Sequence, residues 1–168
     1  FQNNYLFSKY LSEQIAEFYR KKINIINVRL SNIYGPTFLK RPDLIQEILN
    51  QIIIQNKKQI FIKSFKPKRD FIYATDAAHA VVKLLKTNYS GNINLGSGKM
   101  NSIKKVCDII TKYTGVKIKS KNKKVGGQMK FVFNNNRLKQ ITNWKPKYSL
   151  ERGIKLTIDK MLETKNEN

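Results

Sequence analysis

The sequence has little cysteine or histidine and no long apolar run, and each scarcity excludes a class of protein. A single cysteine, Cys107, excludes an internal disulfide and indicates a reducing compartment, so we expect a cytoplasmic protein. One histidine, His79, with one cysteine cannot form a zinc site, and no metal is expected. No eighteen consecutive residues are apolar, so we expect neither a membrane-spanning helix nor a membrane partner.

Acidic residues are also scarce, because 11 Asp and Glu stand against 33 Lys and Arg, a net charge of +22. Such an excess can neutralise nucleic-acid phosphates, so a basic nucleic-acid-binding protein is one hypothesis. The excess is almost all lysine and is spread over every segment, whereas arginine, preferred for base-edge and bidentate phosphate contacts, is rare. Nucleic acid is therefore the disfavoured partner, kept as an alternative of another class.

The spacing of apolar residues predicts helices and strands in alternation. A helix is predicted over 5–22, with one side formed by Phe7, Leu11, Ile15 and Phe18. Strands are predicted over 25–30, 59–63, 69–73, 92–95, 116–120 and 129–134. Further helices are predicted after Asp43, after a cap at Thr75 or Asp76, after Gly98, near Leu138, and from Ser149 with Ile154, Ile158 and Leu162 inward. This alternation indicates an α/β fold.

Tyr5 and Lys9 form the first candidate site. They stand four residues apart, so a helix places both side chains on one face, with Glu13 one turn further along. Lowering the pKa of a tyrosine from about 10 to about 7 requires roughly 4 kcal/mol. An ammonium about 4 to 6 Å from the phenol stabilises the phenolate by about 3 to 4 kcal/mol at an effective dielectric of about 20, which is close to that requirement. The sequence alone leaves open an exposed tyrosine on a lysine-rich helix.

Asn32 and Arg69 form the second candidate site, because an amide and a guanidinium can hold a phosphorylated substrate. A guanidinium binds a diphosphate in bidentate fashion, which makes Arg69 the stronger candidate. The structural alternative is an ion pair of Arg69 with Asp70 or Asp76. Asp70 is predicted to fix the end of its strand or to orient Arg69, and Asp76 to cap the following helix.

These residues belong to strings that resemble the extended short-chain dehydrogenase/reductase family, and within it the NAD-dependent nucleotide-sugar epimerases and dehydratases of the UDP-glucose 4-epimerase kind. The strings are Tyr5-x-x-Ser8-Lys9-x-x-x-Glu13, Arg29-x-x-Asn32-x-Tyr34-Gly35-Pro36, Arg69-Asp70-Phe71-Ile72-Tyr73, 92–98, and 144–153. The resemblance runs from about Tyr5 to Leu162.

The resemblance implies the C-terminal half of a Rossmann-type doubly wound parallel sheet with an interleaved smaller α/β substrate lobe. Residues 1–36 and 70–98 would end the dinucleotide-binding domain, and 37–69 and 99–168 would form the substrate-binding lobe. The glycine-rich turn that receives the dinucleotide pyrophosphate in such folds does not occur in the sequence. We therefore expect a C-terminal fragment that is inactive alone.

The resemblance also implies roles for individual residues. Tyr5 would be the general base and Lys9 would lower its pKa and bind the nicotinamide ribose of NAD or NADP. Asn32 and Arg69 would hold the diphosphate of a nucleotide-diphosphate sugar. The implied complete enzyme is a homodimer.

The family often has an arginine, a glycine and an acidic residue for the nucleotide ribose, where this chain has the string from Lys124 to Gln128. We keep Lys124 and Gln128 as substrate-binding candidates, although the departure leaves the nucleotide unidentified. The implied activity is 4-epimerisation by hydride transfer to and from the cofactor. A 4,6-dehydratase or a keto-sugar reductase, which uses the same tyrosine and lysine, stays open.

Overall fold

The computed structural model describes residues 4–37 and 43–167. Residues 1–3, 38–42 and 168, which the predicted domain division includes, lie outside the described residues. Helices and strands alternate, which confirms the α/β class. The helices are α1 (Asn4–Tyr19), α2 (Leu44–Leu49), α3 (Ala74–Leu85), α4 (Ile103–Thr114), α5 (Asn136–Thr142) and α6 (Leu150–Asn166). The strands are β1 (Ile26–Leu30), β2 (Asn32–Tyr34), β3 (Gln59–Ile62), β4 (Lys68–Tyr73), β5 (Gly91–Leu95), β6 (Met100–Ser102) and β7 (Lys117–Ser120).

The strand pairs are mostly parallel. β1 pairs with β5, β2 with β4, and β3 with β7 in parallel, and β6 adds to β4 in antiparallel direction. In the β2–β4 pair Asn32 is opposite Phe71, and in the β4–β6 pair Arg69 is opposite Asn101. Asn32 and Arg69, far apart in sequence, therefore lie on neighbouring strands.

Local sequence signals explain where several helices begin and end. The Asp43 carboxylate accepts hydrogen bonds from the amides of Ile45 and Gln46, as the predicted N-cap requires. Ser149 caps α6 in the same way through the Arg152 amide. α4 ends at Gly115, whose φ of 71° is readily adopted by glycine. α2 continues into a π-helical turn, Asn50–Ile54.

The predicted cap of α3 is wrong. Tyr73 occupies the N-cap position without a side-chain hydrogen bond, and Asp76 lies inside the first turn. The Asp76 carboxylate is buried and accepts from the backbone amides of Lys147 and Tyr148, at 2.9 and 3.0 Å. It therefore ties α3 to the segment that leads into α6.

Two further predictions are wrong. Residues 129–134 form a single bridge, between Lys130 and Lys68, in place of a strand, because the Phe133 amide donates to a side chain and not to a neighbouring strand. Leu162 is exposed on α6, since Met161 takes the inward position one residue earlier.

Two clusters of buried apolar side chains form the core. The larger is built around α2, α4 and α6, with Ile45, Val106 and Ile154 among its members, and contains Cys107. Burial raises the pKa of the Cys107 thiol to about 12, which keeps it protonated and unreactive. The smaller cluster packs α3 against β5 and includes Leu138 and Trp144.

Helix α1 differs from the other long helices, because none of its residues is buried. The apolar stripe predicted from its spacing is present, but Phe7, Leu11, Ile15 and Phe18 are all exposed. Among the described residues this stripe is therefore not part of the core. Across that same part of the chain, no helix has the length and apolar character needed to cross a membrane.

Gly153, inside α6, provides a test of the packing between α6 and β2. Glycine in a helix interior is normally about 1 kcal/mol less favourable than alanine. At Gly153, however, an added Cβ would collide with the hydroxyl of Tyr34, which donates a hydrogen bond to the Leu150 carbonyl. We expect Gly153→Ala to lower the free energy of unfolding by about 1–3 kcal/mol in denaturant titrations.

The control for this change is Gly126→Ala, because nothing lies within 4 Å of a Cβ at that position. Tyr34→Phe removes the colliding oxygen and should make Gly153→Ala less harmful in the double variant. A Gly153→Ala protein that is as stable as the wild type would contradict the packing.

Candidate functional site

The site is organised around Asp70, an acidic residue inside a buried strand. Its side chain is 0% exposed. Its carboxylate accepts hydrogen bonds from the Ser97 amide at 2.8 Å, the Ser97 hydroxyl at 2.5 Å, the Gly98 amide at 3.1 Å and the Phe133 amide at 3.2 Å. A buried carboxylate is tolerated only with such partners. Asp70 therefore joins β4 to the turn after β5 and to the segment before α5.

The turn after β5 is held from a second side by Asn135. This buried amide accepts from the Gly96 amide at 3.2 Å and donates to the Gly96 carbonyl at 2.5 Å. A Cβ on Gly96 would collide with the Asp70 carboxylate. The sequence prediction found Asp70 but missed its partners, although an aspartate among Phe, Ile and Tyr in a strand is itself a sign of a hydrogen-bonded carboxylate.

Asn32 is fixed by the same strand. Its amide Nδ2 donates to the Asp70 carbonyl oxygen at 2.9 Å, which leaves its second N–H and its carbonyl oxygen available. The side chain is half-buried at the start of β2.

Arg69 precedes Asp70 and is half-buried. Its guanidinium donates to the backbone carbonyl of Lys68 at 2.9 Å. Neither of the carboxylates proposed as structural partners pairs with it, since Asp70 and Asp76 are occupied by backbone amides. Among the described residues no acidic side chain forms an ion pair with Arg69. Most of its donors are thus available to a ligand.

Two depressions meet at Asn32 and Arg69, which line both. The first, about 520 Å³, extends along α2 and β3 and includes Glu47, Phe61 and Lys121. The second, about 500 Å³, is lined also by Leu6, Leu30, Ser31, Gln128 and Phe131. Each has the size of a small-molecule site.

The structure thus brings Asn32, Arg69 and Gln128 together at the second depression. Lys124 is exposed in the loop after β7 and lines neither depression. No described contact joins Lys124 to the other candidates.

Tyr5 and Lys9 lie on the first turns of α1. The Lys9 ammonium is 5.5 Å from the centroid of the Tyr5 ring, so the predicted pairing on one face is present as a cation–π contact. Tyr5 is 66% exposed, and its neighbour Leu6 lines the second depression. The phenol is therefore adjacent to that depression along the helix without being one of its lining residues.

A bidentate ion pair links α1 to β1. Arg29 donates to the Glu13 carboxylate through Nε at 2.8 Å and through Nη2 at 2.5 Å. The hydrogen bonds from Arg29 hold the pKa of Glu13 below its ordinary value. Because the first two strings of the sequence contribute one partner each, this pair relates the position of Tyr5 to that of Asn32.

Comparisons with known proteins identify the family of the chain. The sequence model of the family described as GDP-mannose 4,6 dehydratase matches residues 2–157. The chain is 32% identical over 165 residues to a GDP-L-fucose synthase of Sinorhizobium fredii, which covers 89% of the chain and 51% of that protein. It is 30% identical over 141 residues to a UDP-glucuronate 4-epimerase of Thermodesulfobacterium geofontis, which covers 82% of the chain and 43% of that protein.

Among solved structures, the fold is similar to that of RMD from Pseudomonas aeruginosa complexed with NADPH. The TM-score is 0.86 at 18% identity, and the match covers 97% of the chain and 57% of RMD. At this identity the likeness concerns the fold alone. The chain spans about half the length of the curated relatives that it matches.

Replacing Asp70 tests the centre of the site. Asp70→Asn removes the charge and half of the acceptor capacity, so the amides of Ser97, Gly98 and Phe133 lose strong partners. We expect the free energy of unfolding to fall by about 2–4 kcal/mol. The matched control is Asp108→Asn, because Asp108 is exposed and forms an exposed ion pair with Lys104, and a change below about 0.5 kcal/mol is expected there. Equal effects of the two variants would count against the role of Asp70.

Replacing Glu13 tests the attachment of α1. Glu13→Gln should weaken the contact with Arg29 and raise amide hydrogen exchange along α1 at pH 7, with a loss of at most about 1 kcal/mol because the pair is partly exposed. Since folding lowers the pKa of Glu13, the stabilisation is present above its ordinary value of 4.5 and is lost as the pH falls through the lowered value.

The same rise in exchange, corrected for the intrinsic pH dependence, should therefore appear in the wild type under acid conditions. Glu17→Gln is the control, because Glu17 pairs with Arg20 at the end of the same helix and its ion pair involves no strand residue. An α1 that exchanges equally in both variants would refute the attachment.

Proposed function

We propose that this chain is part of a nucleotide-sugar 4-epimerase. The chain belongs to the NAD-dependent epimerase/dehydratase family of extended short-chain dehydrogenases/reductases. The observation that carries the proposal is the position of Arg69. Its guanidinium has no acidic partner among the described residues and lies beside Asn32, where the two depressions meet. A guanidinium and an amide at such a junction suit the diphosphate in the middle of a nucleotide sugar.

The family implies NAD or NADP as cofactor, and the residues of α1 fit its nicotinamide end. The Tyr5 hydroxyl and the Lys9 ammonium have no hydrogen-bond partner within the described chain, and both are exposed. The ribose hydroxyls of a cofactor could therefore take the place of water on Lys9. The chain has no glycine-rich turn for the cofactor pyrophosphate. Bound NAD(P) would supply a reversible acceptor for hydride from the sugar carbon.

The chain's own residues would move the proton. Tyr5 Oη would take the proton of the sugar hydroxyl as the C–O bond gains double-bond character, and would return it in the reverse step. Lys9 would favour the phenolate through its positive charge. Glu13, held by Arg29, would fix the helix face on which both residues lie.

Arg69, Asn32 and Gln128 would bind the substrate, since all three line the second depression. Arg69 would hold the diphosphate, and the Asn32 amide would donate its second N–H to a phosphate oxygen. Lys124 would approach the ligand only from the rim, because it is exposed and lines neither depression.

A 4,6-dehydratase or a keto-sugar reductase is the second candidate. It is favoured by the similarity of the chain to a protein named GDP-L-fucose synthase, at an identity close to that with a named 4-epimerase. Tyr5 and Lys9 would serve all three reactions, and the reactions differ in product. Analysis of the product formed from a nucleotide hexose, as 4-epimer, 4-keto-6-deoxy sugar or reduced sugar, decides between them.

The role of Tyr5 is tested by Tyr5→Phe in the intact protein. Removal of the hydroxyl should lower kcat by about 10²–10⁴-fold, the usual contribution of a general base, while the affinity for the nucleotide sugar changes little. Tyr19→Phe is the control, because Tyr19 is an exposed residue at the other end of α1. Turnover by Tyr5→Phe at a near-normal rate would reject the assignment.

The role of Arg69 is tested by Arg69→Ala in steady-state kinetics. Loss of a diphosphate contact present in both the ground state and the transition state should raise KM by about 10–100-fold and leave kcat nearly unchanged. Arg69→Lys keeps the charge but not the bidentate geometry, so its KM should lie between those of the wild type and Arg69→Ala. If KM is unaltered in Arg69→Ala, the diphosphate binds elsewhere.

A further inference from the structure

The two depressions differ in what borders them. Leu6 of α1, next to Tyr5, lines the second depression and not the first. Under the proposed function, on which this inference rests, a diphosphate on Arg69 directs the sugar towards α1. The nucleoside then has the first depression available, between α2 and β3.

Strand β3 contributes one wall of the first depression. This wall contains Phe61, which is 50% exposed. The Lys121 ammonium is 5.8 Å from the centroid of its ring. An exposed aromatic ring is a stacking surface for any base and does not distinguish one base from another. Lys63 and Lys121, which also line this depression, would favour base carbonyls of all kinds.

The opposite wall is one side of the α2 segment, on which Asp43, Glu47 and Gln51 recur at intervals of four residues. The Oδ1 atom of Asp43 accepts both hydrogen bonds that cap the helix, and the Gln51 carbonyl oxygen accepts from the Lys57 ammonium at 3.0 Å. Glu47 is exposed, and no described residue forms a hydrogen bond or an ion pair with its carboxylate. Among the described residues, Glu47 is thus the carboxylate of this wall that has both oxygens available to a ligand.

An ionised carboxylate accepts hydrogen bonds and cannot donate them. Guanine presents two parallel donors on one edge, the ring N1–H and the 2-amino group, which match the two oxygens of a carboxylate. Cytosine and adenine each present one amino group. Uracil presents one N–H between two carbonyl oxygens, which a carboxylate repels.

We propose that Glu47, in the depression between α2 and β3, selects nucleobases rich in hydrogen-bond donors, guanine foremost, against uracil. Glu47 acts here as a specificity residue at a distance from the proton transfer at Tyr5. The nucleotide, which the string from Lys124 to Gln128 leaves undetermined, is thus read from the opposite side of the site.

The test is calorimetric titration of the intact protein with nucleoside diphosphates alone. GDP should bind about 10-fold or more tightly than UDP, in the range of a bidentate base contact, with CDP and ADP between them. Inosine diphosphate, which lacks only the 2-amino group of GDP, should bind more weakly than GDP. UDP binding equal to or tighter than GDP binding in the wild type overturns the proposal.

Glu47→Gln separates the carboxylate from the shape of the pocket. It should reduce GDP affinity by about 10-fold or more and leave UDP affinity unchanged or improved, since the amide carries both a donor and an acceptor. Glu167→Gln, at the exposed end of α6, is the matched control and should alter neither. An equal loss for GDP and UDP in Glu47→Gln also overturns the proposal.

Arg69→Ala distinguishes this inference from the proposed function. It should weaken all the diphosphates by a similar factor. If it does so while Glu47→Gln has no base-dependent effect, the diphosphate site stands and the base selection fails. If Arg69→Ala leaves every diphosphate unaffected, the proposed function itself fails.

Discussion

The site depends on one buried carboxylate. Asp70 has no exposed surface, and its two oxygens accept hydrogen bonds from the turn after β5 and from the segment before α5. Its backbone carbonyl holds Asn32, and its neighbour in sequence is Arg69. A buried charge is costly unless every acceptor site is used, so these partners cannot separate cheaply. Asn32 and Arg69 are thereby fixed on the adjacent strands β2 and β4.

This arrangement divides the ligand into two parts. Arg69 and Asn32 lie between two depressions of similar volume, one reached by the helix that carries Tyr5 and Lys9 and one lined by Glu47 and Phe61. We infer that reaction and recognition are separated in the same way. Helix α1 is attached less firmly than the strands that carry Asn32 and Arg69, because it has no buried residue and is held to β1 by the Glu13–Arg29 pair.

The sequence predicted much of the fold, because it is specified by local signals. Asp43 and Ser149 lie at the start of the helices that were predicted to begin there, and the alternation of helices and strands is as the spacing indicated. The failures concern residues whose partners are distant in sequence. Asp76 turns to the amides of Lys147 and Tyr148, some 70 residues away, and no local pattern encodes that choice.

Within the candidate site the same distinction holds. The i, i+4 relation of Tyr5 and Lys9 is visible in the sequence, whereas the contact of Asp70 with Phe133 and the bridge between Lys130 and Lys68 of β4 depend on tertiary structure. The apolar stripe of α1 was predicted from its period, but periodicity does not say what covers it. In the described residues nothing buries it.

The most direct measurement is a crystal structure of the intact protein with a bound nucleotide-diphosphate sugar. The account predicts that the diphosphate contacts the Arg69 guanidinium and the Asn32 amide, with the sugar towards α1 and the base between α2 and β3. A diphosphate bound elsewhere, with Arg69 free of phosphate contacts, would contradict it.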